Sequence, residues 1–330
     1  MIEQEWKELG YIDKPIPADI DICSEIRRMC KEKNAVIMAH YYTDGKVQDV
    51  ADFVGDSLAL AQKAASTDAK IIVMCGVHFM GETSKILCPG KKVIIPDLNA
   101  SCSLAESCPT EDFERFVKQH PEHTVISYVN TTAATKTLTH IVVTSSNAKQ
   151  VVESLPHDTP IIFGPDENLG NYINTITHRN MLLWKGGCHV HEKFSAEKIQ
   201  ELKTRFPHAK VIAHPECKRD VLDLADVVGS TAALLKFTTG DEATQFIVAT
   251  ECGILHKMKK LAPHKKFIPA PTDDPSCELN ECNYMKLITL NKLYNSLKYE
   301  WPTITVEPDV ARKAIMPIDR MLKISKELGL

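Results

Sequence analysis

Three stretches decide how this chain folds: PDLNASCSLAESC (96–108), LLWKGGCHVHEKF (182–194) and CELNECNYM (277–285). Each places a cysteine (Cys102, Cys188 and Cys282) at the close of a block of similar length. The blocks read as one αβ unit used three times. A polar residue ends the first strand of each block: His40 in NAVIMAHYY, Tyr128 in TVISYVN and His214 in AKVIAHPE, spaced by 88 and 86 residues. Seventeen residues further on stand Ser57, Ser145 and Thr231, the last preceded by Ser230, each opening an expected helix. Thirty-six residues on, Gly76, Gly164 and Thr250 end the next strand, and the cysteines follow at 62, 60 and 68.

Around these marks, β-branched runs such as IIVMCGV (71–77), PIIFG (160–164) and QFIVAT (245–250) alternate with helical stretches such as FMGETSKIL (79–87), ENLGNYINTIT (167–177) and CGILHKMKKL (252–261). Such alternation implies parallel sheets covered by helices. The expected fold class is α/β: three pseudo-threefold-related αβ domains, each with a short parallel sheet covered by helices, around a central cleft. The expected boundaries are 1–123 with an N-terminal lead-in, 124–208, 209–304 and a C-terminal helix at 305–330. Helices are expected near 18–32, over 283–298 and over 309–325, the last kinked or interrupted at Pro317. Ligands bind outside the carboxyl ends of parallel strands, where every residue counted above lies.

The chain has 330 residues, 44% hydrophobic and 25% charged, with a net charge of −4. That is an ordinary globular composition, and it advertises neither nucleic acid nor a membrane as partner. No apolar run approaches the roughly 20 residues that span a bilayer. The first residues, MIEQEWKELGYIDKP, lack the apolar core of a secretory signal, so a cytoplasmic location is expected. Eleven cysteines, an odd number without a dense short-spaced framework, do not read as disulfides. Cys23, Cys30, Cys75 and Cys252 sit in apolar or helical stretches and are expected to pack as small hydrophobes.

Three thiolates from three units suit an iron–sulfur cluster with an incomplete protein ligand set, leaving one iron to act as a Lewis acid on a substrate oxygen. A structural zinc site is the rival, but only Cys277 and Cys282 form a loose C-x₄-C pair. Three unrelated buried thiols are the plain alternative. Ser57, Ser145, Ser230 and Thr231 read singly as helix N-caps; three such helix starts facing one cleft would form an anion site. His40 and Tyr42, Tyr128 and Asn130, and His214 and Glu216 are pairs two apart, and so would project together from a strand. His191 flanks the same cleft. Glu216 is the best general acid/base, with burial expected to raise its pKa. There is no G-x-G-x-x-G, no P-loop and no C-x₃-C-x₂-C motif.

Several stretches resemble the quinolinate synthase family: AHYYTDGKVQDVADFVGDSLALAQKA, MCGVHFMGETSKIL, PDLNASCSLAESCP, YVNTTAATK, VTSSNA, FGPDENLGNYI, GGCHVHEKF, AHPE, DVVGST, FIVATECGILHKM and CNYMKLITL. They extend from about residue 38 to 290. The resemblance implies a [4Fe–4S] cluster held by Cys102, Cys188 and Cys282, and a transferase that condenses iminoaspartate with dihydroxyacetone phosphate into quinolinate, phosphate and water. It implies that His40, Ser57, Tyr128, Asn130, Ser145, His214, Ser230 and Thr231 bind substrate, and that Glu216, Tyr42 and His191 are catalytic. A transient contact with the enzyme supplying iminoaspartate is a further expected partner. One segment departs from the family pattern: CELNECNYM replaces a run of closely spaced cysteines, which leaves Cys277 as a redox partner of Cys282 or an idle thiol. A cluster-dependent hydro-lyase on another small polycarboxylate, and a non-enzymatic iron–sulfur sensor, are the alternatives. The absence of a basic helix-turn-helix element counts against the sensor.

Overall fold

The computed structural model describes residues 3–274 and 280–330, so Cys277 lies outside the described residues. Three four-stranded parallel sheets carry the fold. The first holds β1 (Ala35–His40), β2 (Phe53–Gly55), β3 (Ile71–Cys75) and β4 (Lys92–Ile94) in the order β2-β1-β3-β4. The second holds β5 (Thr124–Tyr128), β6 (Ile141–Val143), β7 (Ile161–Gly164) and β8 (Leu182–Leu183) in the order β6-β5-β7-β8. The third holds β9 (Lys210–Ala213), β10 (Val227–Val228), β11 (Gln245–Ala249) and β12 (Lys266–Pro269) in the order β10-β9-β11-β12. One strand order used three times is the repeat expected from the spacing, with helices between the strands as parallel pairing requires.

The repeat extends to single hydrogen bonds. The residue just before each first edge strand (Asp52, His140 or Asp226) accepts a bond from the central-strand amide of Ile37, Val125 or Val211, at 2.8, 2.9 and 2.7 Å. Its own amide donates back to the same residue's carbonyl, at 3.0, 2.9 and 2.8 Å. These positions keep the spacings of 88 and 86 residues. The reciprocal clasp satisfies a strand amide that the short edge strand does not reach, and a buried amide left unpaired would be costly.

The chain forms two compact units: one runs to Cys102 and includes Asn283–Ile315; the other comprises Ser103–Cys282 and Met316–Leu330. In the first, Ile37, Ala39, Ile71 and Val73 of the sheet pack with Ile26 and Met29 of helix Ile22–Lys33, and with Leu293 and Leu297 of helix Leu290–Tyr299. In the second, Ile199, Val211, Ala213, Ile247 and Ala249 form one core. Phe113, Val125 and Ile162 form another, where Phe113 meets Trp184 edge-on at 5.4 Å. Cys30 and Cys75 are buried in the first core and Cys23 packs partly against it. Cys252 is half-buried, its Sγ 3.6 Å from Glu281 Oε1.

Two helix expectations need correction. The stretch 283–298 divides into Asn283–Lys286 and Leu290–Tyr299, because Thr289 Oγ1 accepts from the Lys292 amide and caps the second helix. Helix Pro308–Glu327 continues through Pro317; proline removes one amide donor, and the remaining turns carry the helix across it. Helices Thr110–Lys118 and Ala196–Arg205 complete the second unit.

The loops leaving β1 and β5 are held from within. Gln48 Nε2 donates to the carbonyls of Tyr41 and Thr43 at 2.9 and 3.0 Å. Lys136, 88 residues later and fully buried, donates through Nζ to the carbonyls of Val129 and Thr131 at 2.8 and 2.5 Å. An ammonium and an amide thus do one job at equivalent places. Lys136→Met leaves buried carbonyls unpaired and lowers stability by about 3 kcal/mol, whereas Lys136→Gln, the group used in the first repeat, recovers at least half of that loss. Urea unfolding of the three proteins measures both differences.

Candidate active site

In the first unit, His40 is buried at the end of β1, and Tyr42 follows two residues later. The Tyr42 amide donates to His40 Nδ1 at 3.2 Å, and the two rings meet edge-on at 4.5 Å. An Nδ1 that accepts puts the ring proton on Nε2, so His40 presents an N–H donor. Lys286 Nζ fixes the Tyr42 carbonyl at 2.8 Å. Ser57 is the first residue of helix Ser57–Ser66, but Asp56 is its cap, accepting from the Ala59 amide at 3.0 Å. Cys102 is half-buried, and the turn before it is set by Asp97, which accepts from the Asn99 amide at 2.9 Å and pairs with Lys292 at 2.5 Å.

The second unit brings together the larger set. His214 follows β9 directly, and the Glu216 amide donates to His214 Nδ1 at 3.3 Å, repeating the His40–Tyr42 arrangement. Nε2 of His214 then carries the proton and meets Ser145 Oγ at 3.2 Å. Tyr128, at the end of β5, donates its hydroxyl to Glu216 Oε1 at 2.5 Å. The other carboxylate oxygen lies 2.9 Å from His191 Nδ1, and His191 Nε2 meets Thr250 Oγ1 at 3.0 Å. His191 and His214 stack at 4.7 Å. All of these except Ser145 are at most 4% exposed. Asn130 is half-buried, two residues beyond Tyr128.

Burial pushes the Glu216 carboxyl up, but His191 beside it, with the hydrogen bonds from His191 and Tyr128, outweighs that and holds it below the ordinary carboxylate range. The expectation of a raised pKa is therefore corrected: donors to the charged form favour it. Burial lowers His214 to about 3, so its imidazole is neutral. Asp166, fully buried, is pushed well up by burial and then by the Glu216 charge.

The helix-cap expectation holds in part. Ser230 caps helix Thr231–Gly240, accepting from the Ala233 amide at 3.3 Å, and Thr231 is the helix's buried first residue. Ser145 is not a cap: helix Ala148–Glu153 begins after Asn147, and the Ser145 hydroxyl faces His214.

Cys188 and Cys282 are half-buried in this unit. Cys188 Sγ, a ring nitrogen of His191 and a carboxylate oxygen of Glu216 lie within 4.8 Å of one another, a group that could hold a metal ion. Sequence reasoning missed Thr250, Asp166 and Glu251 as site residues. The signal was available: Thr250 is one of the register marks, and each acid lies two residues beyond the third strand of its sheet.

Stability falls as pH drops below about 6.5, because the unfolded chain protonates His214 while the native fold holds it neutral down to about 3. The slope from this one group is up to about 1.4 kcal/mol per pH unit. His214→Gln flattens it, as denaturant unfolding at pH 5, 6 and 7 would read.

Residues 24–323 match the family model described as Quinolinate synthetase A protein. Among curated relatives, the quinolinate synthase of Rippkaea orientalis is 53% identical over 305 residues, covering 92% of this chain and 94% of that protein. The quinolinate synthase of Synechocystis is 52% identical, covering 92% and 96%. That of Thermosynechococcus vestitus is 52% identical, covering 94% and 97%. A match of this extent shows that the chain belongs to the quinolinate synthase family.

Proposed function

We propose that this quinolinate synthase family member is a transferase that condenses iminoaspartate with dihydroxyacetone phosphate, releasing phosphate and water as quinolinate forms. The observation carrying the reading is the buried chain Tyr128–Glu216–His191–Thr250, built at the ends of parallel strands. Both substrates are small anions. His40 and His214, each with Nε2 as donor, and the hydroxyls of Ser57, Tyr128, Ser145, Ser230 and Thr231 with the amide of Asn130, supply neutral hydrogen bonds to carboxylate and phosphate oxygens. Neutral donors bind anions without the cost of desolvating a cation.

Glu216 is the base. Its ionised carboxylate selects the His191 tautomer protonated at Nδ1, which leaves Nε2 facing Thr250. A proton taken from substrate is held on the Glu216 carboxyl, and Tyr42 serves as the second proton donor. Imine formation and loss of water both need such transfers.

Cys102, Cys188 and Cys282 would hold a [4Fe–4S] cluster. Thiolates are the ligands such a cluster takes, and these three thiols, like those of Cys23 and Cys252, are half-buried, whereas Cys30, Cys75, Cys88, Cys108 and Cys217 are buried. When bound, the cluster would supply a Lewis-acidic iron for a substrate oxygen. Family membership gives the hydro-lyase and sensor readings no support. Among the described residues no helix is long and apolar enough to cross a membrane. A cytoplasmic location, and a passing contact with the enzyme that makes iminoaspartate, complete the proposal.

Cys102→Ala, Cys188→Ala and Cys282→Ala each abolish cluster assembly and Cys277→Ala does not, as read by iron and sulfide content after anaerobic purification. Glu216→Gln keeps the cluster and lowers the rate of quinolinate formation by about 10²- to 10⁴-fold. Full activity in that variant would remove the carboxylate from the mechanism.

A further inference from the structure

Two buried acids outside the substrate-binding set occupy matching places. Asp166 lies two residues past the end of β7, and Glu251 two residues past the end of β11. Both are completely buried. Asp166 divides its carboxylate between two amides: Oδ1 accepts from Leu169 at 2.8 Å, capping helix Glu167–Thr177, and Oδ2 accepts from Cys188 at 3.1 Å. Glu251 does the same: Oε2 accepts from Gly253 at 2.6 Å and Oε1 from Cys282 at 3.1 Å. The first oxygen secures the acid at the start of the next helix. The second reaches across 22 or 31 residues of chain to the backbone of a cysteine loop.

We propose that Asp166 and Glu251 are positioning residues that hold Cys188 and Cys282 as iron–sulfur ligands, an inference that rests on the three-cysteine reading above. A ligand loop that carries a thiolate needs its backbone fixed before the metal arrives, because an unheld loop must be ordered at the expense of binding. A carboxylate on the cysteine's own amide does this without touching the sulfur. The first repeat does it differently. Val77 stands two residues past β3, where no acid is available, and the Cys102 loop is held by Asp97 and by the His78 amide donating to Ala100 at 2.7 Å. Two of the three ligands therefore depend on an acid contributed by the third strand of their own sheet.

The test uses Asp166→Asn and Glu251→Gln, singly and together. Each variant turns one of the two accepting oxygens into an NH2 donor, which faces an N–H group and cannot accept from it, so one of the two amide bonds is lost. Asp21→Asn, at the exposed cap of helix Ile22–Lys33, controls for loss of a cap alone. Iron and sulfide per chain and the rate of iron loss to a chelator are measured after anaerobic reconstitution, with circular dichroism and the thermal midpoint of the metal-free chain alongside. The proposal expects iron retention to fall about 10-fold or more in each single variant and further in the double, with the metal-free chain still folded and Asp21→Asn matching wild type. Iron content and chelator resistance equal to wild type, or iron loss no greater than the fraction unfolded, overturn it. A wild-type chain that assembles no cluster under the same conditions sinks the functional reading instead, so the two failures are distinguishable.

Discussion

A parallel strand buried on both faces delivers its carboxyl end into a place where water cannot satisfy the backbone that follows. Every loop leaving such a strand must find side-chain partners for its amides and carbonyls. This chain meets that constraint with a small kit placed in register. Asp52, His140 and Asp226 close the starts of the central strands. Gln48 and Lys136 tie down the carbonyls just past two of them. Asp166 and Glu251 hold amides past the third strands. The loops so fixed are those that bear His40, Tyr42, Tyr128, Asn130, Cys188 and Cys282, so satisfying the backbone and placing the chemistry are one task.

The kit tolerates changes of side chain because it is defined by hydrogen-bond role. Asp52 and His140 are unlike in shape and charge, yet each offers one acceptor to a strand amide. Burial and the nearby Arg320 charge hold His140 below its ordinary pKa, as an accepting Nδ1 requires. Gln48 and Lys136 share only the ability to donate to two carbonyls. In the third repeat the equivalent position is Leu222, buried and apolar. Sequence identity between the blocks is accordingly low while strand order and spacing persist.

Much of the fold was legible because β-branched runs and fixed spacings report strands that are buried on both faces. The strand runs, the three-fold use of one unit and the two-residue pairs at strand ends all follow from that pattern. Helices Thr110–Lys118 and Ala196–Arg205 were not marked by any register residue. The division of 283–298 turned on one capping threonine. At the site, the residue types pointed to Glu216, but its charge state did not follow from burial alone. Two partners on distant parts of the chain (Tyr128 and His191) decide it, and sequence spacing cannot show that they converge on one carboxylate. Asp166 and Glu251 were hidden for the same reason: their partners lie 22 and 31 residues away.

The strand-end residues show how one geometry accommodates two chemistries. At His40 and His214 the amide two residues on donates to Nδ1, which removes any choice of tautomer and leaves Nε2–H pointing away from the backbone. A ring held in this way is a donor by construction. For His214 burial reinforces it, since a value near 3 keeps the ring neutral throughout the physiological range. The middle repeat uses Tyr128, whose phenol has no tautomer to fix and extends further. That extra reach carries the hydroxyl to Glu216, which belongs to the following sheet. Had a third histidine stood there, its ring would have been set by its own backbone. The tyrosine instead donates its hydroxyl to a neighbouring repeat, and this links the ends of β5 and β9 through one buried hydrogen bond.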